Sequence, residues 1–157
     1  MRRQIRFEGR ARKTAAGFLG ALLIHLMFLE QPSAAGQGFV VIVNASNPIS
    51  SVKRDELSRI FLKKLTQWQD GSQIEPVDLS ESSPARARFS LGVHGKETAA
   101  IKAYWQMMLF SGREILPAEL ASAAEVIAFV TAKRGAVGYV SESTSLDESV
   151  KVIQIAP

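Results

Sequence analysis

The sequence predicts an α/β fold. Three features point there. A continuous apolar run from Gly38 to Asn44 is what a strand shows when both faces of its sheet are covered. Glu97 to Phe110 carries apolar residues at helical spacing, and a capped helix near Ser122 is followed by two strand-like segments. Strand and helix signals alternate along the chain, the pattern of a domain in which helices cover a sheet.

The chain opens with an export leader. Arg2, Arg3, Arg6, Arg10, Arg12 and Lys13 stand against Glu8, and an apolar run from Ala15 to Leu29 ends at Glu30. These are the n-region and h-region of a secretory signal, and Ser33 and Ala35 sit at the −3 and −1 positions of a cleavage after Ala35. The expected division is therefore a signal peptide over 1–35 and one domain over 36–157. An uncleaved anchor is the alternative, although the run falls short of the about 20 apolar residues that a span needs. The leader holds six of the 19 Lys and Arg and two of the 15 Asp and Glu, so the remainder is formally neutral. The sequence pI near 9.6 belongs to the leader, and it gives no argument for nucleic-acid binding. The chain has no cysteine, hence no disulfide framework and no lipid-attachment thiol. The expected location is the periplasm, as a protein that is not a lipoprotein.

The elements follow in order. The strand Gly38–Asn44 ends in the loop Asn44-Ala45-Ser46-Asn47-Pro48. A helix is expected from about Val52 to near Lys63, with Leu57, Ile60 and Phe61 on one face and Asp55-Glu56 in its early turns, where carboxylates suit the positive helix end. After the Asp70-Gly71 turn, Ile74 to Leu79 reads as a short strand that Pro76 confines to a sheet edge or delays to Val77. Ser82-Ser83-Pro84 opens a helix, with proline at the first helical position, where its missing N–H costs nothing. From Glu97 to Phe110, Ile101, Tyr104, Trp105, Met108 and Leu109 form one apolar stripe. Ser122 and Glu125 make a capping box ahead of Val126, Phe129 and Val130, and Gly135 reads as the helix stop. Ala136–Val140 and Val150–Ile155 complete the sheet.

Catalytic and metal chemistry find no support. His94 stands without a second histidine outside the leader and without cysteine, so no zinc set can be assembled. No nucleophile elbow or phosphate-cradling glycine loop is present. Trp68 and Trp105 read as core aromatics. No cofactor and no enzymatic activity are expected.

Several pieces in sequence carry a resemblance: Ile60-Phe61-Leu62 with Trp68-Gln69-Asp70-Gly71, then Tyr104-Trp105, then Arg134-Gly135-Ala136-Val137-Gly138-Tyr139-Val140. Together they resemble the phosphate-binding periplasmic solute-binding family of ABC importers, over roughly Phe39 to Val140. That family has a helix ending in Ile-Phe-x-Gly-Lys-x-x-x-Trp, a Ser-Gly-Thr anion loop at a helix start, a Trp-bearing helix and a Pro-Gly-Ala-Ile-Gly-Tyr strand. Its full-length members close two lobes on the anion, and this chain spans what resembles the second. The resemblance implies a three-layer αβα sandwich with a mixed sheet of four or five strands, like one lobe of a type II periplasmic binding protein. The departures are specific. Aligned on Phe89, the family's Arg-x-x-x-Ser-Gly-Thr falls on Leu79 to Ala85, so its arginine is Leu79, its glycine Pro84 and its threonine Ala85, while Ser83 keeps the serine. Lys63 stands where the family has the helix-stop glycine, so either the position is left-handed at a cost on the order of 1 kcal/mol or the loop differs.

The function this implies is an exported, non-catalytic, solute-binding-like protein: a phosphate or similar oxyanion substrate-binding component of an ABC importer. The candidate ligand residues are Ser82, Ser83, Arg86 and Arg88, because free N–H groups at a helix start attract an anion and the two arginines lie one turn in. Against this stands an ordinary helix cap at Ser83 with Arg86 and Arg88 as solvated charges. The expected partners are the anion, an ABC permease or another periplasmic protein, and a second copy in a homodimer. The competing function is a periplasmic interaction module, a binding-protein lobe that has lost its ligand.

Overall fold

The computed structural model describes residues 38–112 and 116–157. The expected leader, 1–35, lies outside the described residues. Six strands form one sheet in the order β2-β6-β1-β5-β3-β4: β1 Val40–Asn44, β2 Ser51–Lys53, β3 Glu75–Leu79, β4 Ala118–Leu120, β5 Ala136–Val140 and β6 Val150–Ala156. β1 runs antiparallel to its neighbours β5 and β6. β2 is parallel to β6, and β3 is parallel to both β5 and β4. The sheet is therefore mixed, with β1 opposed to the rest. Among the described residues there are four α-helices, α1 Arg54–Phe61, α2 Pro84–Phe89, α3 Thr98–Phe110 and α4 Ala123–Ala132; a π-helical segment, Ser90–His94, continues α2, and α3 packs on that segment.

The side-chain alternation of β5 shows that the helices lie on both faces. A Cβ on Gly138 would meet Val126 and Val130 of α4. On the other face, the neighbouring Tyr139 lies parallel to the Phe89 ring at 3.9 Å and 5.6 Å from the Phe61 ring. α4 thus packs one side of the sheet, and α1 and α2 the other, which is the expected three-layer arrangement.

Several expectations change in detail. The helix does not begin at Val52. Ser51–Lys53 is a strand on β6, with Val52 buried between two exposed neighbours, and α1 starts at Arg54. β3 is internal and not an edge. Pro76 is tolerated because it faces Val137 of β5 in the stretch where β4, which begins opposite Val77, is absent. The strands number six because β2 and β4, three residues each, are too short to show a period. α3 buries Ile101 and Trp105 as expected, but Leu109 of the same stripe is half exposed. Gly135 is not a left-handed helix stop. Its missing side chain makes room for the Gln73 carbonyl, which any Cβ there would strike. The Gly135 carbonyl in turn accepts from Trp68 Nε1 at 3.1 Å and from Glu75 N at 3.1 Å, so two of the motif pieces touch.

Lys63 does adopt the left-handed conformation, with φ 55°. Its N–H donates to the Ile60 carbonyl and that of Lys64 to the Arg59 carbonyl, closing α1 with the paired bonds of a glycine-type stop. Burial lowers the Lys63 ammonium pKa from its ordinary value, against the charge of Glu75. At the far end of β1, Asn44 Nδ2 donates to the carbonyls of Val130 and Thr131, satisfying the last turn of α4.

Candidate functional site

Because β3, β4 and β5 are parallel, their C-terminal ends open on one edge of the sheet, where ligands of open α/β sheets gather. The loops that leave them, starting at Ser80, Ala121 and Ser141, converge there. The Ser80 N–H donates to the Leu120 carbonyl at 2.8 Å and holds two of these ends together. Between them lies a groove of about 360 Å³, lined by Ser83, Pro84 and Ala85 at the start of α2, by Ser122 and Ala123 at the start of α4, and by Arg88, Leu79, Ala121 and Ser141.

The two helix starts differ. Ser122 Oγ accepts from Glu125 N at 3.2 Å, the first half of the expected box, while Glu125 Oε2 accepts from Ala121 N at 2.8 Å, one residue before the N-cap the box would use, so the α4 start is capped by its own side chains. Ser83 makes no side-chain capping bond, although it sits in extended geometry at the N-cap of α2. Its own N–H donates to the Ser80 carbonyl, and Ala87 N donates to the Ser83 carbonyl. Among the described residues, no side chain caps the Ala85 and Arg86 N–H groups between them.

The four expected residues fall in different places. Ser83 lines the groove. Ser82 is exposed beside it, with Oγ 3.3 Å from Ser80 Oγ. Arg88 also lines the groove, and its guanidinium donates to the Gly38 carbonyl at 3.3 Å. Gly38 has φ +70° and no room for a Cβ, because Arg88 lies across it. Arg86 points inward and is 5% exposed. Its Nη1 contacts Asp78 Oδ2 at 2.7 Å, the Leu79 carbonyl at 2.5 Å and, more distantly, Glu119 Oε2 at 3.8 Å. Tyr139 donates its hydroxyl to Asp78 Oδ1, and Leu79 N donates to the same oxygen at 3.0 Å. This buried cluster fixes the turn from β3 into α2, on which the groove depends.

Burial pushes the Asp78 carboxyl up to about 6, with Arg86 and the Tyr139 hydrogen bond pulling the other way. The Tyr139 hydroxyl is pushed up, first by burial and then by Asp78. His94 ends the π-helical segment ahead of the left-handed Gly95, as a helix-end residue does. Its Nδ1 lies 2.8 Å from Ser58 Oγ, and burial with the Arg86 charge lowers its pKa to about 4. Among the described residues, no group of three or more His, Cys, Asp or Glu side chains could hold a metal ion.

Sequence reading missed Asp78, Tyr139, Gly38 and Ser141. Asp78 did carry a signal: a carboxylate inside an apolar strand requires a partner. The convergence of Ser83, Ser122 and Ser141 carried none.

A family model for the PBP superfamily domain matches residues 29–154. The chain belongs to that superfamily. The match spans every strand and helix of the domain up to Gln154 in β6. Solved structures agree. An ABC-type phosphate transport receptor from Vibrio cholerae superposes with TM-score 0.59 at 25% identity, covering 75% of this chain and 46% of that one. A candidate phosphate ABC transporter substrate-binding protein from Clostridium perfringens, with bound phosphate, gives 0.60 at 19%, covering 75% and 44%. PstS from Borrelia burgdorferi gives 0.52 at 13%, covering 75% and 47%. The chain spans less than half the length of these structures. No curated protein matches it.

Proposed function

We propose that this PBP superfamily chain is an exported, non-catalytic binding protein that takes phosphate or a similar oxyanion in the groove at the ends of β3, β4 and β5, as the substrate-binding component of an ABC importer. The observation that carries the reading is the uncapped start of α2, with Ser83 and Arg88 on the same groove wall. In this reading, Ser83 and Ser82 supply hydroxyls, Arg88 supplies the cation, and Arg86 supplies its backbone N–H while its guanidinium braces the turn. The similarity to phosphate-transport proteins supports the ligand class. One lobe leaves part of the ion in water, so binding is expected to be weak unless a permease, another periplasmic protein or a second copy covers the groove.

A second reading, a periplasmic interaction module that has lost its ligand, is favoured by the commitment of Arg86 to Asp78, which removes one of the two expected cations from the groove. Calorimetric titration separates the two, with phosphate, sulfate and a carboxylate at low salt against protein from cells expressing the full chain. The first reading predicts heat on titration with at least one anion, weakened by salt and abolished by Ser83→Asp, which sets a carboxylate at the helix start. Absence of binding to all three, or binding that Ser83→Asp leaves intact, overturns it in favour of the second.

A further inference from the structure

Gly38 is buried beneath an arginine. Phe39, next in the chain, fixes its place: the Phe39 ring meets those of Phe89 and Tyr139 at 5.4 and 6.4 Å, and Gly92 of the π-helical segment leaves room for it. β1 enters the sheet with Val40 opposite Val140, so Gly38 stands beyond the C-terminal end of β5, on the edge where Ser141 lines the groove. The Gly38 carbonyl accepts from Arg88 Nη1 at 3.3 Å, and a Cβ on Gly38 would stand 2.4 Å from Arg88 Cδ and 2.9 Å from both Nε and Nη1. The outer half of the Arg88 side chain therefore lies along bare backbone. Among the described residues, no carboxylate pairs with Arg88, whereas Arg86 of the same helix is neutralised by Asp78 at 2.7 Å.

We infer that Gly38 is a positioning residue of the groove: its bare backbone seats the Arg88 guanidinium on the groove wall and leaves the positive charge for an anion. The inference rests on the anion-binding reading of that groove. An arginine in water gives up rotamer freedom when it meets an anion, and one already lying along a backbone has given up part of it beforehand. A carbonyl seat also leaves the cation uncommitted. It takes one of the five guanidinium N–H groups and no charge, so the others remain for an oxyanion, where a carboxylate seat would compete with the ligand as Asp78 does at Arg86. The position needs glycine twice over, for its φ of +70° and because any side chain would occupy the seat. The antiparallel strand β1 thereby contributes to a site otherwise built from the ends of β3, β4 and β5.

Calorimetric titration with phosphate and sulfate at low salt tests it, on wild type, Gly38→Ala, Arg88→Ala and the double variant, each from cells expressing the full chain. Gly38→Ala should weaken binding about three- to tenfold, the cost of ordering one long side chain anew. Added to Arg88→Ala, it should weaken binding no further. Urea unfolding of the same four proteins reads the seat without ligand: backbone strain at position 38 costs stability with or without Arg88, whereas the lost contact costs it only while Arg88 is present, so Gly38→Ala should destabilise less on top of Arg88→Ala. Where Gly38→Ala fails to fold, Gly38→Asn is measured in its place, since asparagine carries the same Cβ but tolerates a positive φ. Binding by Gly38→Ala as tight as wild type or tighter, a double variant weaker than Arg88→Ala, or an equal loss of stability in both backgrounds overturns this inference alone. A wild type that binds neither anion overturns the proposed function, and the inference with it.

Discussion

The two faces of the sheet solve the packing problem differently. The α4 face is aliphatic: Val126 and Val130 approach the sheet closely because Gly138 has no side chain to hold them off, and Val77 completes the contact. The other face is aromatic, with Phe39, Phe61, Phe89 and Tyr139 in mutual contact, and it encloses Asp78, Arg86 and the half-buried His94. Among the described residues, the buried charges Asp78 and Arg86 both lie at the β3-to-α2 turn that forms the groove. One face is built for density, and the other spends stability on the geometry of the β3-to-α2 turn. Buried ion pairs are poor sources of stability but costly to break in half.

The largest effect should come from halving that pair. Asp78→Ala leaves the Arg86 guanidinium buried with the Leu79 carbonyl and a distant Glu119, and a loss of about 3–5 kcal/mol is expected in urea unfolding. Replacing both, Asp78→Leu with Arg86→Met, should cost much less, because the desolvation of two charges disappears with their attraction. If the single variant loses less than about 1 kcal/mol, water reaches the pair and the contrast between the faces is weaker than drawn.

The aromatic face should also own the acid response, and its two titrating groups oppose each other. Asp78 titrates near 6 in the folded state against an ordinary 3.8, so between these values the folded protein binds the extra proton and gains stability as pH falls. The upper bound is about 3 kcal/mol, at roughly 1.4 kcal/mol per pH unit. His94 titrates near 4 against an ordinary 6.5, so over that window the unfolded chain binds the proton and stability is lost as pH falls, by a smaller amount because part of the ring reaches solvent. The wild-type profile from pH 6.5 to 4 should be shallow. His94→Gln should unmask a rise in stability toward acid, and Asp78→Asn a fall. A His94→Gln profile parallel to the wild type would show that the ring is solvated in the folded state.

How far the sequence discloses this depends on how local each signal is. β1, the α4 capping box and β5 are legible because an apolar run or a cap lies within a few residues. The family glycine leaves two options at Lys63, a left-handed residue or a different loop, and the φ of 55° decides for the first. β2 is hidden because Ser51-Val52-Lys53 shows one buried residue and then leads directly into a helix. The groove is hidden because Ser83, Ser122 and Ser141 are neighbours only through parallel pairing of three strands.

The smallest effect tests the aliphatic face. A Cβ on Gly138 would stand 2.7 Å from Val126 Cγ1 and 2.9 Å from Val77 Cγ1, so Gly138→Ala must push α4 outward or turn two valines. Overpacking of this kind costs about 1–3 kcal/mol. About 0.4–1 kcal/mol of it is offset by the lower entropy of the unfolded chain. The net loss should be smaller than that of Asp78→Ala, and combining Gly138→Ala with Val126→Ala should recover part of it, since the Val126 Cγ1 that the new Cβ strikes is then gone. A Gly138→Ala protein as stable as wild type would show that α4 rides loosely on the sheet, and the density ascribed to that face would belong to the aromatic one instead.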